Sequence, residues 1–411
     1  MRWDGATEIA TGRGEKGPWQ QNDSRYDYVD DPAVAIDAGG AIAVAWADQK
    51  SKDVFFRKYS RDGEHEGTAI NVSHSPDTFS WLPRLAAAPD NPNTIFMLWQ
   101  EIIFSGGSHG GDILFARSED GGASFSAPLN LSNSIGGDGK GRLKREVWSN
   151  GSLDLAIGAD GAVLAAWTEY HGALWFARSD DKGKTFSPPR QVAGSHAQPA
   201  RGPSLAIGPN RTVYLAWTVG ELAAAAIRVT QSADGGAIFG APVLVGAGTG
   251  YADAPKLAVD AGGALHLVYA ESDSGPFGRY RIRYAQSAGG ALKFSAPRDI
   301  APAATGAGAG YPSLAIDGGG RLCAIWEVFP DASPHPRGLA FTVSSDHGRS
   351  FAPPAMVPGS QDPAGGSNGS HQGLLAKKLA LDRDGRIAIV NSSLKQDERS
   401  RVWLMRGQLP R

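Results

Sequence analysis

One phrase returns seven times along this chain and limits what it can fold into. It reads P-x-L-A-I-D, then a Gly- or Asn-bearing turn, then an apolar run ending in an aromatic. Copies begin at Pro32, Pro83, Leu153, Pro203, Pro255, Pro312 and Lys377, at spacings of 50 to 70 residues. A small residue recurs inside each, at Ala35, Ala86, Ala156, Ala206, Ala258, Ala315 and Ala380. The closing aromatics are Trp46, Trp99, Trp167, Trp217, Tyr269 and Trp326, with Asn391 breaking the series. A period of this length marks units that bury their apolar faces only by stacking on one another.

A second phrase, S-x-D-x-G-x-x-F, follows the first at Ser118–Phe125, Ser179–Phe186, Ser232–Phe239 and Ser344–Phe351. Weaker copies sit at Ser287–Phe294 and Ser60–Gly67. Together the phrases give four short strands per repeat, A to D, joined by Gly-rich turns and free of helical periodicity. Four strands repeated seven times predict an all-β, seven-bladed propeller in a single domain over 1–411. The last copy stops after its C strand at Arg401–Arg406. Residues Trp3–Ala10 have the pattern of a D strand and are expected to complete that blade, removing two open edges. The 54 Gly and 26 Pro fall between apolar runs, as turns require. The crowded axis explains the small Ala of strand A, and packing between blades explains the aromatic of strand B.

The S-x-D-x-G-x-x-F phrase resembles the Asp-box (BNR) repeat of sialidase-like β-propellers. In such a turn the Asp accepts hydrogen bonds from turn amides, so Asp120, Asp181, Asp234 and Asp346 are read as structural. Sialidases of this superfamily usually have six blades, and a count of seven departs from that pattern. Asp-box proteins are often exported, which implies an extracellular or periplasmic site if a signal has been removed. Met1-Arg2-Trp3 itself has no signal-peptide pattern.

Composition narrows the partners. A net charge of -2 and no basic stripe argue against nucleic acid. No run of about 18 apolar residues suits a membrane helix. The lone Cys323 excludes an intrachain disulfide and sits in an apolar run, as a buried thiol would. The histidines lack metal-ligand spacing, so neither metal nor other cofactor is expected.

The A–B and C–D turns are short and uniform. The B–C and D–A connections on the opposite face hold nearly all the length variation, and variable loops on a rigid scaffold are where sites form. Glu169-Tyr170-His171, Arg145, Trp148, Arg201, Tyr311 and His371 lie there. The position after the strand A proline is expected at the channel mouth, where Arg84, Asp154, Lys256 and Lys378 occupy it. Guanidiniums, carboxylates and rings around a concavity suit an anionic glycan as partner. Acids two residues past the aromatic (Asp48, Glu101, Glu169, Glu271) recur with the repeat, which favours a structural use.

Resemblance to the sialidases implies a glycoside hydrolase. Tyr311-Pro312-Ser313-Leu314-Ala315-Ile316, ending at Trp326-Glu327, is similar to the segment bearing their Tyr nucleophile. Leu82-Pro83-Arg84-Leu85 resembles their first arginine motif with Pro and Arg reversed. Arg84 and Arg201 would then hold the anionic group, Glu271 or Glu327 would serve as base to Tyr311, and Asp31 as acid. Arg145, Trp148, Lys256, His371 and Lys378 complete the expected substrate-binding set. Two alternatives stay open. A polysaccharide lyase would use Tyr170 and His171 beside Arg145 or Arg201 on a uronate. A non-catalytic lectin would repeat its sugar contacts in every blade, which these unequal loops do not.

Overall fold

The computed structural model describes residues 1–18, 24–75, 78–102, 111–132, 143–144, 147–148, 152–169, 172–220, 224–246, 250–287, 292–301, 308–330, 333–369 and 377–410; residues 143–144 and 147–148 are described as backbone only. The strands form seven antiparallel blades, six of them built in chain order from the inner strand outward and the seventh completed by the N-terminal strand. The inner strands are Val29–Ile36, Phe79–Ala87, Leu153–Ile157, Ala200–Ile207, Tyr251–Val259, Gly308–Ile316 and Leu379–Leu381.

The second strands, such as Ile42–Asp48 and Ile95–Ile102, are buried on both sides. A blade between two others has no solvent face, so its middle strands read as continuous apolar runs. The core is accordingly a ring of layers between blades. One layer joins Ala33, Ala43 and Val54 of blade one to Leu85, Ile95 and Trp99 of blade two. Trp46, Trp99, Trp167, Trp217, Tyr269 and Trp326 are all at most 3% exposed, as interblade packing requires. Cys323 is fully buried, and burial pushes its thiol up to about 12.

The N-terminal strand closes the ring. Arg2–Gly12 pairs with Arg399–Gln408 of blade seven, from Arg2 opposite Gln408 to Gly12 opposite Ser400. Trp3 meets Phe341 of blade six edge-on at 5.3 Å. Blade seven also takes a short extra pairing, Ser367–Asn368 against Arg386–Lys395.

The inner strands differ from expectation at their starts. In five blades the strand begins upstream of the proline, and the ladder skips at the X-Pro step, between Asp30 and Ala33, Trp81 and Arg84, Arg201 and Ser204, Asp253 and Lys256, and Gly310 and Ser313. Proline has no N–H to give the ladder, and a bulge removes it from the pairing. The residue before it takes the left-handed conformation: φ is 53° at Asp31, 54° at Leu82, 60° at Gly202, 54° at Ala254 and 48° at Tyr311. For the four that are not glycine this strain is about 1–3 kcal/mol each, tolerated where the surroundings over-determine it and common near sites. Leu153 lacks the proline and starts its strand where expected, whereas blade seven starts two residues late, at Leu379.

The Ser-x-Asp turns are interblade staples. Asp181 Oδ1 accepts from the Thr185 amide (2.9 Å) and Ser179 Oγ (2.7 Å), and Ser179 Oγ accepts from the Gly183 amide (2.8 Å). The closing rings reach the preceding blade: Phe125 lies edge-on to Phe56, Phe186 to Phe115, Phe239 to Phe176 and Phe351 to Tyr284, at 4.8–5.2 Å. The turn glycine is needed for that approach. At Gly236, where φ is 98°, a Cβ would stand 2.6 Å from the Phe176 ring. The same geometry predicts acid behaviour. Hydrogen bonds from Ser124 hold Asp120 down at about 2, below the usual carboxylate value. Its stabilisation is therefore present above pH ~4 and disappears as pH falls through about 2. Asp120→Asn is expected to flatten the acid limb of the unfolding midpoint against pH in that window.

Candidate functional site

Around the axis, polar side chains bind neighbouring blades at six of the seven junctions, blades five and six being the exception among the bonds described. Ser392 Oγ donates to Asp30 (2.6 Å) across the closure. Asp31 accepts from the Leu82 amide (3.3 Å), and Arg84 donates through Nε to the Leu153 carbonyl (2.9 Å). Asp154 accepts from the Leu205 amide (2.7 Å), and Ser204 from the Leu257 amide (3.0 Å). Lys378 donates to Glu327 (2.5 Å) between blades seven and six. Lys256 is their counterpart in blade five. It makes no hydrogen bond or ion pair among the described residues, and burial beside Arg84 and Lys377 lowers its ammonium to about 8 despite Asp154 nearby.

This ring gives several expected ligand groups a structural partner. Arg84 is 2% exposed, and its Nη1 donates to the Pro83 carbonyl (3.1 Å). Asp31 is equally buried; burial and then the charge of Asp30 raise its carboxyl well above the usual range. Glu327 has both oxygens engaged, one by Lys378 and one by Asn368 Nδ2. Lys378 also donates to Asn391 (3.1 Å). The break in the aromatic series at Asn391 is the sequence signal for this buried network. Glu271 is held by Arg281 (3.2 Å) and Arg283 (3.1 Å), and Glu169 accepts from Trp175 Nε1 (2.9 Å).

Between blades five and six a cavity of about 560 Å³ opens. Asp253, Phe277, Arg279, Tyr280, Tyr311 and Phe329 are among its lining residues. The bulges at Asp253-Ala254-Pro255 and Gly310-Tyr311-Pro312 bring Asp253 and Tyr311 to its wall. Behind them Arg201 donates through Nε to Asp253 Oδ1 (3.2 Å), through Nη2 to the Tyr251 hydroxyl and through Nη1 to the Gly220 carbonyl. Its guanidinium lies 5.2 Å from the Tyr251 ring centroid. Asp253 Oδ1 also accepts from Thr218 Oγ1 (3.0 Å) and the Ala254 amide (2.8 Å). Burial, then the charges of Asp253 and Tyr251, raise the phenol of Tyr311, with Arg201 opposing. Burial and Asp253 raise Tyr280 likewise. Two phenols are thus kept protonated on one cavity wall.

Of the expected site residues, Tyr311 and Arg201 belong to this cluster, and Glu327 acts on Tyr311 electrostatically. Asp31, Arg84, Lys256 and Lys378 belong to the axial ring, and Glu271 to the arginine pair. Tyr170, His171, Arg145 and His371 lie outside the described residues, and Trp148 is described only as a strand partner of Leu143. The flanks of Tyr170-His171 are fixed: the Gly172 amide donates to the Glu169 carbonyl (2.9 Å), and the Gly172 carbonyl accepts from the Ala200 amide (2.8 Å), next to Arg201. Asp253, Tyr280 and Phe277 were not singled out from sequence. The proline spacing carries a signal for Asp253, which stands two residues before Pro255 as Arg201 does before Pro203. Among the described residues no group of three His, Cys, Asp or Glu gathers as a metal site.

No family model and no curated protein matches the sequence. Solved structures do resemble the fold. Polysaccharide lyase Uly1 matches with a TM-score of 0.59 at 11% identity, all of both chains being covered. An ulvan lyase of family PL25 matches at 0.57 and 11%, over 91% of this chain and 94% of that one. An α-L-arabinofuranosidase of Fusarium graminearum matches at 0.50 and 14%, over 79% and 92%. Sialidases are more distant, at 0.48. These neighbours are carbohydrate-active propellers, and at such identity the likeness is one of fold.

Proposed function

We propose that this chain is a carbohydrate-active enzyme that cleaves an acidic polysaccharide by β-elimination in the cavity between blades five and six. The observation that carries the reading is the placement of Tyr311 on the cavity wall with Tyr280 and Asp253, the latter held by Arg201. A tyrosine hydroxyl on that wall carries a proton that a departing glycosidic oxygen can take, and Tyr is among the side chains used for such transfer. Arg279 on the same lining brings the positive charge that a uronate carboxylate pairs with.

In this scheme a base removes the proton α to the uronate carboxyl. The electron pair left on that carbon forms the double bond to its neighbour as the bond to the glycosidic oxygen breaks. The departing oxygen takes its proton from Tyr311. His171, with Tyr170, carries the sequence assignment as base. The hydrolase alternative would make Tyr311 the nucleophile and Glu327 its base, but the Glu327 oxygens are engaged by Lys378 and Asn368.

The test is a panel of uronate-containing and sialylated glycans, read by ultraviolet absorbance of the unsaturated product and by new reducing ends. Both signals rising together on a uronate polymer is the expected result. Reducing ends without absorbance would mean hydrolysis, and absence of both would leave a binding protein; either overturns the proposal.

A further inference from the structure

We infer that Phe277 is a preformed stacking platform for a sugar ring of a bound chain, outside the point of cleavage, so that the site takes a polymer and not a terminal sugar alone. The inference rests on the glycan reading of the cavity and deepens it.

Phe277 is 100% exposed and lines the cavity. A scattered apolar side chain on a surface needs no explanation. Among the described residues, however, the other exposed large apolar side chains are Met1, Leu129, Ile238, Leu244 and Met356, all aliphatic and none on this cavity. An aromatic ring held fully in water gains nothing for the fold, since it buries no area there.

The loop that carries it is braced. Arg281 grips Asp273 through Nη1 (3.0 Å) and Nη2 (2.8 Å) and anchors on the buried Glu271 (3.2 Å). The Gly278 amide donates to the Gly275 carbonyl (3.1 Å), and the Tyr280 hydroxyl donates to the Pro276 carbonyl (2.9 Å). Pro276 fixes the backbone just before the ring. The ordering entropy of the loop is therefore met in folding, which is what preorganisation for a ligand means.

The surroundings match the two-sided chemistry of a pyranose. Phe277, Phe329 and Pro330 offer apolar faces to its C–H side, while Asp253, Arg279 and Tyr280 offer polar groups to its hydroxyl edge. A protein partner would need about 800 Å² on each side, far more than one ring beside a cavity supplies.

The experiment is electrophoresis of the full chain through native gels cast with alginate, chondroitin sulfate or glucuronan, beside the product assay on the same polymers. Wild-type protein is expected to be retarded by at least one. Phe277→Ala should raise the apparent dissociation constant on the order of tenfold, the loss typical of an aromatic anchor. Phe277→Trp should restore retardation, and Ile238→Ala, on the opposite face, should leave it unchanged. Equal retardation of wild type and Phe277→Ala, or none for wild type, overturns the inference. Retardation that depends on Phe277 without any product would sink the proposed reaction and keep the platform.

Discussion

Tyr311→Phe is expected to lower turnover of an acidic polysaccharide by about 10²- to 10⁴-fold, the usual contribution of a positioned proton donor. Its stability should stay within about 0.5 kcal/mol of wild type. The two expectations separate because of how the residue is held. Tyr311 sits at the bulge with φ 48°, and Phe occupies that conformation at the same strain. The Tyr311 ring lies 6.3 Å from Phe329, a contact that Phe keeps. Its hydroxyl makes no hydrogen bond among the described residues, so its removal strands no buried partner. A fall in activity together with unfolding would show a structural tyrosine; full activity would remove it from the chemistry.

The sign of the pH dependence follows from the same cluster. A proton donor fails when it is deprotonated, so activity is lost as pH rises through its pKa. Burial, Asp253 and Tyr251 raise that value above the phenol's ordinary 10. Any limb due to Tyr311 therefore lies above pH ~10, and a descending limb nearer neutrality belongs to another group. Activity that instead climbs steadily with pH towards 10 would point to a phenolate nucleophile.

The fold was legible because each blade repeats the same solution. Seven small alanines and six large aromatics state how tight the axis is and where the blades meet. The site was legible only in part, because the prolines hide a change of register. Read as simple strand starts, they make Arg201 and Asp253 loop residues. The inner strands in fact begin upstream of the prolines, and these two residues are the last paired positions before the bulge, each opposite its own second strand: Arg201 against Thr218 and Asp253 against Ala270. That places the two side chains close enough to bond across blades four and five. Of the charges expected at the mouth as ligand groups, Arg84, Asp154 and Lys378 are bound to a neighbouring blade, since a ring of inner strands has polar edges to satisfy before it has any for substrate.

The largest stability effect is expected at the junction of blades six and seven. Lys378 is 3% exposed and Glu327 is 1% exposed, and Asn368 and Asn391 complete their hydrogen bonds. Removing one partner of such a pair leaves a charge without water or counterion, which costs about 3–5 kcal/mol. Lys378→Met and Glu327→Gln should each lower the urea midpoint accordingly. The double variant should lose less than the sum of the two, because neither charge is then stranded. Single variants as stable as wild type would mean the pair is solvated.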